Sequence, residues 1–123
     1  MTIFLAEDHD DNFFIVQSNL KKIDPSITLV READGEKAII RLSQDDLIPD
    51  LFLIDITMPN KDGLELIAWI KSRPEFRDIP TVALTASVFA EMKESYLEHG
   101  FDHILEKPFT RSDLAKLLQK VAG

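Results

Sequence analysis

The stretch Leu51-Phe52-Leu53-Ile54-Asp55 runs four apolar side chains into a carboxylate, and Thr57-Met58-Pro59 and Asp62-Gly63 follow it. With Pro49-Asp50 in front and Pro59 behind, the run is too short for a free-standing helix and predicts a strand buried on both faces. Asp55 is then the first side chain to emerge from that strand. Open α/β sheets place their chemistry in the crevice outside the carboxyl ends of their strands. Taken alone, an aspartate there serves equally as a turn residue or a helix cap. The reading depends on which other groups reach the same edge.

Working outward, the same design recurs. Ile3-Phe4-Leu5-Ala6 is a short apolar run that ends on Glu7-Asp8. Asp10, Asp11 and Asn12 offer caps for a helix with Phe13, Val16, Leu20 and Ile23 at helical spacing, closed by Asp24-Pro25. Phe14 lies beside that stripe, partly exposed. Ile27-Thr28-Leu29-Val30 predicts a second strand, and Ala33-Asp34-Gly35 turns the chain into a helix with Ala38, Ile39 and Leu42 on one side. Asp45-Asp46 at its end reads as solvated loop. Beyond Gly63 a helix turns Leu66, Ile67 and Ile70 inward, carries Trp69 as a packing residue at its flank and ends at Pro74. Ile79-Pro80 introduces a fourth strand, Thr81-Val82-Ala83-Leu84, which stops at Thr85-Ala86-Ser87. Ser87 is the expected cap of a helix that carries Met92, Tyr96 and Leu97 and ends at Gly100. Ile104-Leu105 is a fifth, weaker strand ended by Lys107-Pro108, and a last helix from about Ser112 presents Leu114, Leu117, Leu118 and Val121. Five strand-then-helix units predict an α/β fold: a doubly wound, five-stranded parallel sheet with right-handed crossovers and helices on both faces.

A chain of 123 residues that is 45% hydrophobic suits one compact domain, spanning 1–123. Its formal charge of -8 argues against binding nucleic acid through a basic face and against an anionic membrane surface, and favours cationic ligands. There is no cysteine, hence neither a disulfide framework nor thiolate chemistry. Met1-Thr2-Ile3 lacks the lead of a signal peptide, and no stretch approaches the ~20 apolar residues of a membrane span. The expectation is a cytoplasmic protein.

In a parallel sheet the strand ends point one way, so Glu7, Asp8, Asp55, Thr85 and Lys107 should gather at one edge. Carboxylates within a few ångströms repel by roughly 4 kcal/mol per close pair at an effective dielectric near 20, so the site calls for a cation. Hard oxygen ligands with room for water suit Mg²⁺. Lys107 supplies a compact positive charge for an anion and Thr85 a hydroxyl donor. A site that holds a divalent metal and an anion is one that handles phosphate, and Asp55, on the central strand, is the best placed covalent acceptor. Each group has an ordinary reading: Glu7-Asp8 a solvated turn, Thr85 a strand terminator, Lys107 a surface lysine. Their coincidence at four strand ends is what carries the functional one.

These pieces together, Glu7-Asp8, Asp55 with Met58-Pro59 and Asp62-Gly63, Thr85-Ala86 and Lys107-Pro108-Phe109, make the sequence resemble the response regulator receiver domain of two-component systems over nearly its whole length. The resemblance implies a flavodoxin-like (βα)5 sheet of strand order 2-1-3-4-5. It implies that Asp55 receives a phosphoryl group from a phosphohistidine on a sensor histidine kinase or a histidine phosphotransfer protein. It further implies Mg²⁺ held by Asp8, Asp55 and the backbone carbonyl of Thr57, with Glu7 near it or acting through water. Lys107 and Thr85 would bind phosphoryl oxygens, in chemistry that is mostly positioning and charge neutralisation. Phosphorylation would then shift an equilibrium in the surface made by the fourth helix, the fifth strand and the last helix, which meets an unknown downstream protein. By the same resemblance Lys107-Pro108 is a cis peptide. A chain ending soon after the last helix is expected to be a single receiver with no output domain, a monomer or weak dimer, and a phosphoacceptor rather than an enzyme.

Two positions depart from the family's pattern. Ile104 stands where many receivers carry an aromatic ring on the fifth strand, which puts the usual coupling through Thr85 in doubt; adjacent His103 faces the other side of the sheet. Lys61 stands where many have Met. Phe14 and the surface around Ile104 are the candidate docking patches. Two rival readings differ in class. Asp8-His9-Asp10 after an apolar strand looks like the nucleophile motif of haloacid-dehalogenase phosphatases, with Asp8 as nucleophile and Asp10 as acid, but leaves Asp55-Thr57-Met58-Pro59 unexplained. The other is an interaction module that is never phosphorylated.

Overall fold

The computed structural model describes residues 1–44, 46–58, 60–86 and 90–122. In it five strands alternate with five helices: β1 (Thr2–Ala6), α1 (Asp10–Ile23), β2 (Thr28–Glu32), α2 (Gly35–Gln44), β3 (Leu51–Asp55), α3 (Gly63–Ser72), β4 (Thr81–Thr85), α4 (Ala90–Glu98), β5 (His103–Glu106) and α5 (Arg111–Ala122). All strand pairings are parallel, in the order β2-β1-β3-β4-β5, as the sequence led us to expect. The central strand β3 is buried along its whole length, as is β4.

Because successive side chains of a strand point to opposite faces, each apolar run feeds two cores. Phe4, Ala6, Phe52, Ile54 and Ala83 pack on one face against Ala38 and Leu42 of α2 and Leu66, Ile67 and Ile70 of α3. Ile3, Leu5, Leu51, Leu53, Val82 and Leu84 pack on the other against Val16 and Leu20 of α1 and Leu114, Leu117 and Leu118 of α5. Full burial of a side chain of this size contributes about 1.5–3 kcal/mol, so the strands that carry the site are also the most firmly held.

Register decides what meets at the edge. Ala6 pairs with Ile54, so Glu7 and Asp55 leave neighbouring strands at the same height. Asp55 pairs with Leu84, the residue before Thr85, and Thr85 pairs with Glu106, the residue before Lys107.

Several local expectations are corrected. The α1 cap position is His9, without a side-chain capping bond, and Asp10 and Asp11 lie inside the first turn, where their charges favour the helix dipole. Strand β2 lies further along than Ile27–Val30, because Arg31 and Glu32 continue its pairing with β1. Of the three apolar residues expected on α4, Tyr96 is buried, while Met92 and Leu97 are exposed. Ile15, beside Phe14, is also exposed. The expected Ser87 cap and the Asp45 half of the acidic pair lie outside the described residues, as does Pro59. Trp69 is a packing residue, its ring 5.8 Å from that of Phe76. Lys107-Pro108 is cis. No helix among the described residues is long and apolar enough to cross a membrane.

Candidate functional site

The edge of the sheet brings Glu7, Asp55 and the Thr85 backbone together around Lys107. Its Nζ donates to Asp55 Oδ2 at 2.8 Å and to Glu7 Oε2 at 3.1 Å, so one ammonium spans the ends of β1 and β3. The Lys107 N–H in turn donates to the Thr85 carbonyl at 2.8 Å, which fixes the start of the lysine against the end of β4. Thr85 itself is buried. The other Asp55 oxygen, Oδ1, accepts the Thr57 N–H at 3.0 Å.

Glu7 and Asp8 are neighbours in sequence with opposite surroundings. Glu7 is fully buried; besides Lys107 it accepts the His9 N–H at 3.1 Å and lies 3.5 Å from Asn12 Nδ2. Burial, and after it the charge of Asp55, push the Glu7 carboxyl above its ordinary value. For Lys107 burial opposes the charged form, but the hydrogen bond and charge of Asp55, together with those of Glu7, outweigh it and hold the ammonium pKa above its ordinary value. Asp8 opens toward solvent. Its Oδ1 is buried yet has no hydrogen-bond partner among the described residues, and its Oδ2 lies 3.7 Å from His9 Nδ1.

This donor set fits a hard divalent cation. A buried carboxylate oxygen without a donor is costly unless something positive completes it. Carboxylate oxygens of Glu7 and Asp8 and a ring nitrogen of His9 lie within 4.8 Å of one another, so the turn after β1 converges without any shift of backbone. Asp55 is joined to this group through Lys107. Backbone geometry holds the opposite wall: a Cβ on Gly63 would come 2.5 Å from the Asp55 carbonyl oxygen, and one on Gly35 would strike the Lys61 carbonyl. Asp62 and Glu65 then start α3 with a reciprocal cap, the Asp62 side chain accepting the Glu65 N–H at 2.9 Å.

The family follows from a whole-chain match. Residues 3–119 match the family model of the response regulator receiver domain. The chain belongs to this family. As a receiver domain it is a phosphorylation-activated signalling switch, a class not counted among enzymes. Among curated relatives it is 37% identical over 87 residues to the transcription factor SKN7 of Chaetomium thermophilum, covering 71% of this chain and 11% of that protein. It spans only 18% and 13% of the next two curated relatives. Among solved structures, the receiver domain of the sensor histidine kinase PA1611 from Pseudomonas aeruginosa, which has a magnesium ion coordinated in its active-site cleft, is 28% identical with a TM-score of 0.86, covering 99% of this chain and 98% of that one. The phosphorylated cyanobacterial phytochrome response regulator RcpA is 29% identical with a TM-score of 0.83, covering 98% and 89%.

The receiver's sequence hid three anchors of the site. Arg31 bonds to the turn after β1, and Asp34 to Asn60 in the turn after β3; the sequence offered a lone arginine following Ile27–Val30 and, at Asp34, only a turn residue. The dehalogenase-like reading is not favoured: the chain matches the receiver family, and Asp10 is 76% exposed and paired to Arg31 at 2.8 Å. His103 and Ile104 are both half-buried on β5, Ile104 against the core that α2 and α3 cover.

Proposed function

We propose that Asp55 accepts a phosphoryl group from a phosphohistidine of a sensor histidine kinase or a histidine phosphotransfer protein. The observation that carries this is the Lys107 bridge between Asp55 and Glu7, set beside an Asp8 oxygen left without a donor. A carboxylate oxygen of Asp55 forms the bond to phosphorus as the phosphorus–nitrogen bond breaks. The departing ring nitrogen keeps the bonding pair and, with the other nitrogen protonated, leaves as neutral imidazole. Three groups would hold Mg²⁺: Asp8, Asp55 and the Thr57 backbone carbonyl, with Glu7 close by. When bound, the ion supplies charge neutralisation for the phosphoryl oxygens.

Lys107 exchanges one carboxylate contact for a phosphoryl oxygen, and the Thr85 hydroxyl donates to another. No general base is required, because the attacking group is already a carboxylate. The added charge of about -1.5 to -2 then pulls on Thr85 and Lys107, at the ends of β4 and β5, and biases the surface of α4, β5 and α5 toward a second arrangement. Ile104 in place of a ring makes that bias depend on Thr85 and Lys107 rather than on an aromatic rotamer.

The donor has a surface to meet. A cleft of about 360 Å³ is lined by Ile15, Val16, Leu84, Pro108 and Phe109 together with Glu7 and Lys107, while Phe14, 61% exposed on α1, does not line it. Transfer of label from a radiolabelled phosphohistidine donor tests the reading. Wild type should take up label with Mg²⁺ and Asp55→Asn should not, whereas equal labelling of both would assign the acceptor elsewhere.

A further inference from the structure

The turn that carries Glu7, Asp8 and His9 is anchored from outside the site by one side chain. Arg31 sits at the C-terminal end of β2, in register with Leu5 of β1. Its Nε donates to the Glu7 carbonyl oxygen at 3.0 Å, and its Nη1 pairs with Asp10 Oδ1 at 2.8 Å. The guanidinium also lies over the Phe13 ring, 4.7 Å from its centre. These contacts fall on both sides of Asp8-His9 in the chain. The planar fork therefore brackets the two residues it does not touch.

Simple charge compensation does not account for this arrangement. Asp10 is largely in solvent, and an ion pair to an exposed carboxylate contributes little. The guanidinium is mostly buried, and its Nη2 makes no hydrogen bond among the described residues, so the chain accepts the cost of desolvating a cation at this point. What it gains is a fixed Glu7 carbonyl, and with it a fixed direction for the next side chain, Asp8. A lysine could reach one of the two oxygens but not span both while lying flat on the ring.

We propose that Arg31 is a positioning residue for the cation site: it holds the β1–α1 turn so that Asp8 faces the ion, and it thereby sets the affinity for Mg²⁺. The role rests on the metal reading given under Proposed function. It has an unusual signature in sign. Were Arg31 only a neutraliser of excess acid, removing its charge would tighten binding of a cation, and Arg31→Lys would leave binding unchanged. A positioning role predicts that both substitutions weaken binding, the neutral one included.

The test is calorimetric titration of Mg²⁺ into the full chain, wild type, Arg31→Met, Arg31→Lys and Asp8→Asn, with unfolding curves to confirm that each is folded at the titration temperature. Loss of an outer-shell partner typically weakens metal affinity about 10- to 100-fold. We expect about tenfold weaker binding for Arg31→Met and a smaller loss for Arg31→Lys. A second readout needs no metal: amide exchange at His9, whose N–H donates to Glu7 Oε1, should accelerate at least about tenfold in Arg31→Met. Unchanged or tighter Mg²⁺ binding by Arg31→Met, or unchanged His9 exchange, would overturn the positioning role while leaving the site intact. Mg²⁺ binding that survives Asp8→Asn, or is missing from wild type, would instead remove the metal reading and this role with it.

Discussion

The turn after β1 and the turn after β3 both deliver carboxylates to one edge, yet different physics holds them. The β1–α1 turn is held by polar contacts: Arg31 on the Glu7 carbonyl and Asp10, Lys107 on the Glu7 carboxylate, and the His9 N–H on Glu7 Oε1. The β3–α3 turn has polar contacts too: Lys107 on Asp55, the Gly63 N–H on the Ile56 carbonyl, the Gly35 N–H on the Lys61 carbonyl, and Asn60 on Asp34. It adds backbone approaches at Gly63 and Gly35 too close to admit a Cβ. Close packing of backbone is all or none, since any added atom must displace a strand end. Polar anchors are graded, and each can be weakened without loss of fold. Asp55, the proposed acceptor, stands on the rigid wall and shares the proposed cation with Asp8 of the adjustable one.

The largest effect should come from the rigid wall. Gly63→Ala should cost about 3 kcal/mol in urea unfolding, because its Cβ meets the backbone of Asp55 and Ile56 rather than a movable side chain. A cost under about 1 kcal/mol would show that the β3–α3 turn yields as easily as its counterpart. Next comes the cation the two walls share. Lys107→Met leaves Glu7 and Asp55 buried without it; breaking a buried pair costs about 3–5 kcal/mol, and the partly exposed lysine lowers our expectation to about 2 kcal/mol.

Asp34→Ala removes acceptors for the Lys37 N–H at 2.7 Å and for Asn60 Nδ2 at 3.1 Å, and should cost about 1.5 kcal/mol with Mg²⁺ affinity changed less than twofold, about the resolution of a titration. A large affinity loss there would make polar anchoring decisive on both walls. The smallest effect is expected at Asn60, whose φ of 65° suits glycine. Asn60→Gly relieves the conformation but gives up the bond to Asp34, and the two should cancel to within about 0.5 kcal/mol in chemical denaturation.

The parts of the molecule that were legible in sequence share one property: local pattern alone specifies them. Ile3–Ala6, Leu51–Ile54 and Thr81–Leu84 are short apolar runs between breakers, and each stops at a residue of the site. Strand order came from the family resemblance, whereas the gathering of Glu7, Asp8, Asp55, Thr85 and Lys107 at one edge followed from the parallel sheet, and the observed order and register agree with both. What stayed hidden depends on distant partners or on backbone. Arg31 acts on a carbonyl 24 residues away, and Asn60 reaches Asp34 across 26. The sequence assigned no inward face to α4, and a nine-residue helix that buries Tyr96 but not Met92 or Leu97 has no strong stripe to read. At α1 an aspartate was expected at the cap, but the turn that carries His9 is fixed by Glu7 and Arg31 instead, so no capping side chain was needed.

The central claim is that Asp55 forms the acyl phosphate. Intact mass after incubation with acetyl phosphate and Mg²⁺ addresses it most directly, for wild type and for Asp55→Asn. The account predicts a single phosphoryl adduct on wild type that vanishes on chelation of the metal and is missing from the variant. An adduct of equal occupancy on Asp55→Asn would contradict it.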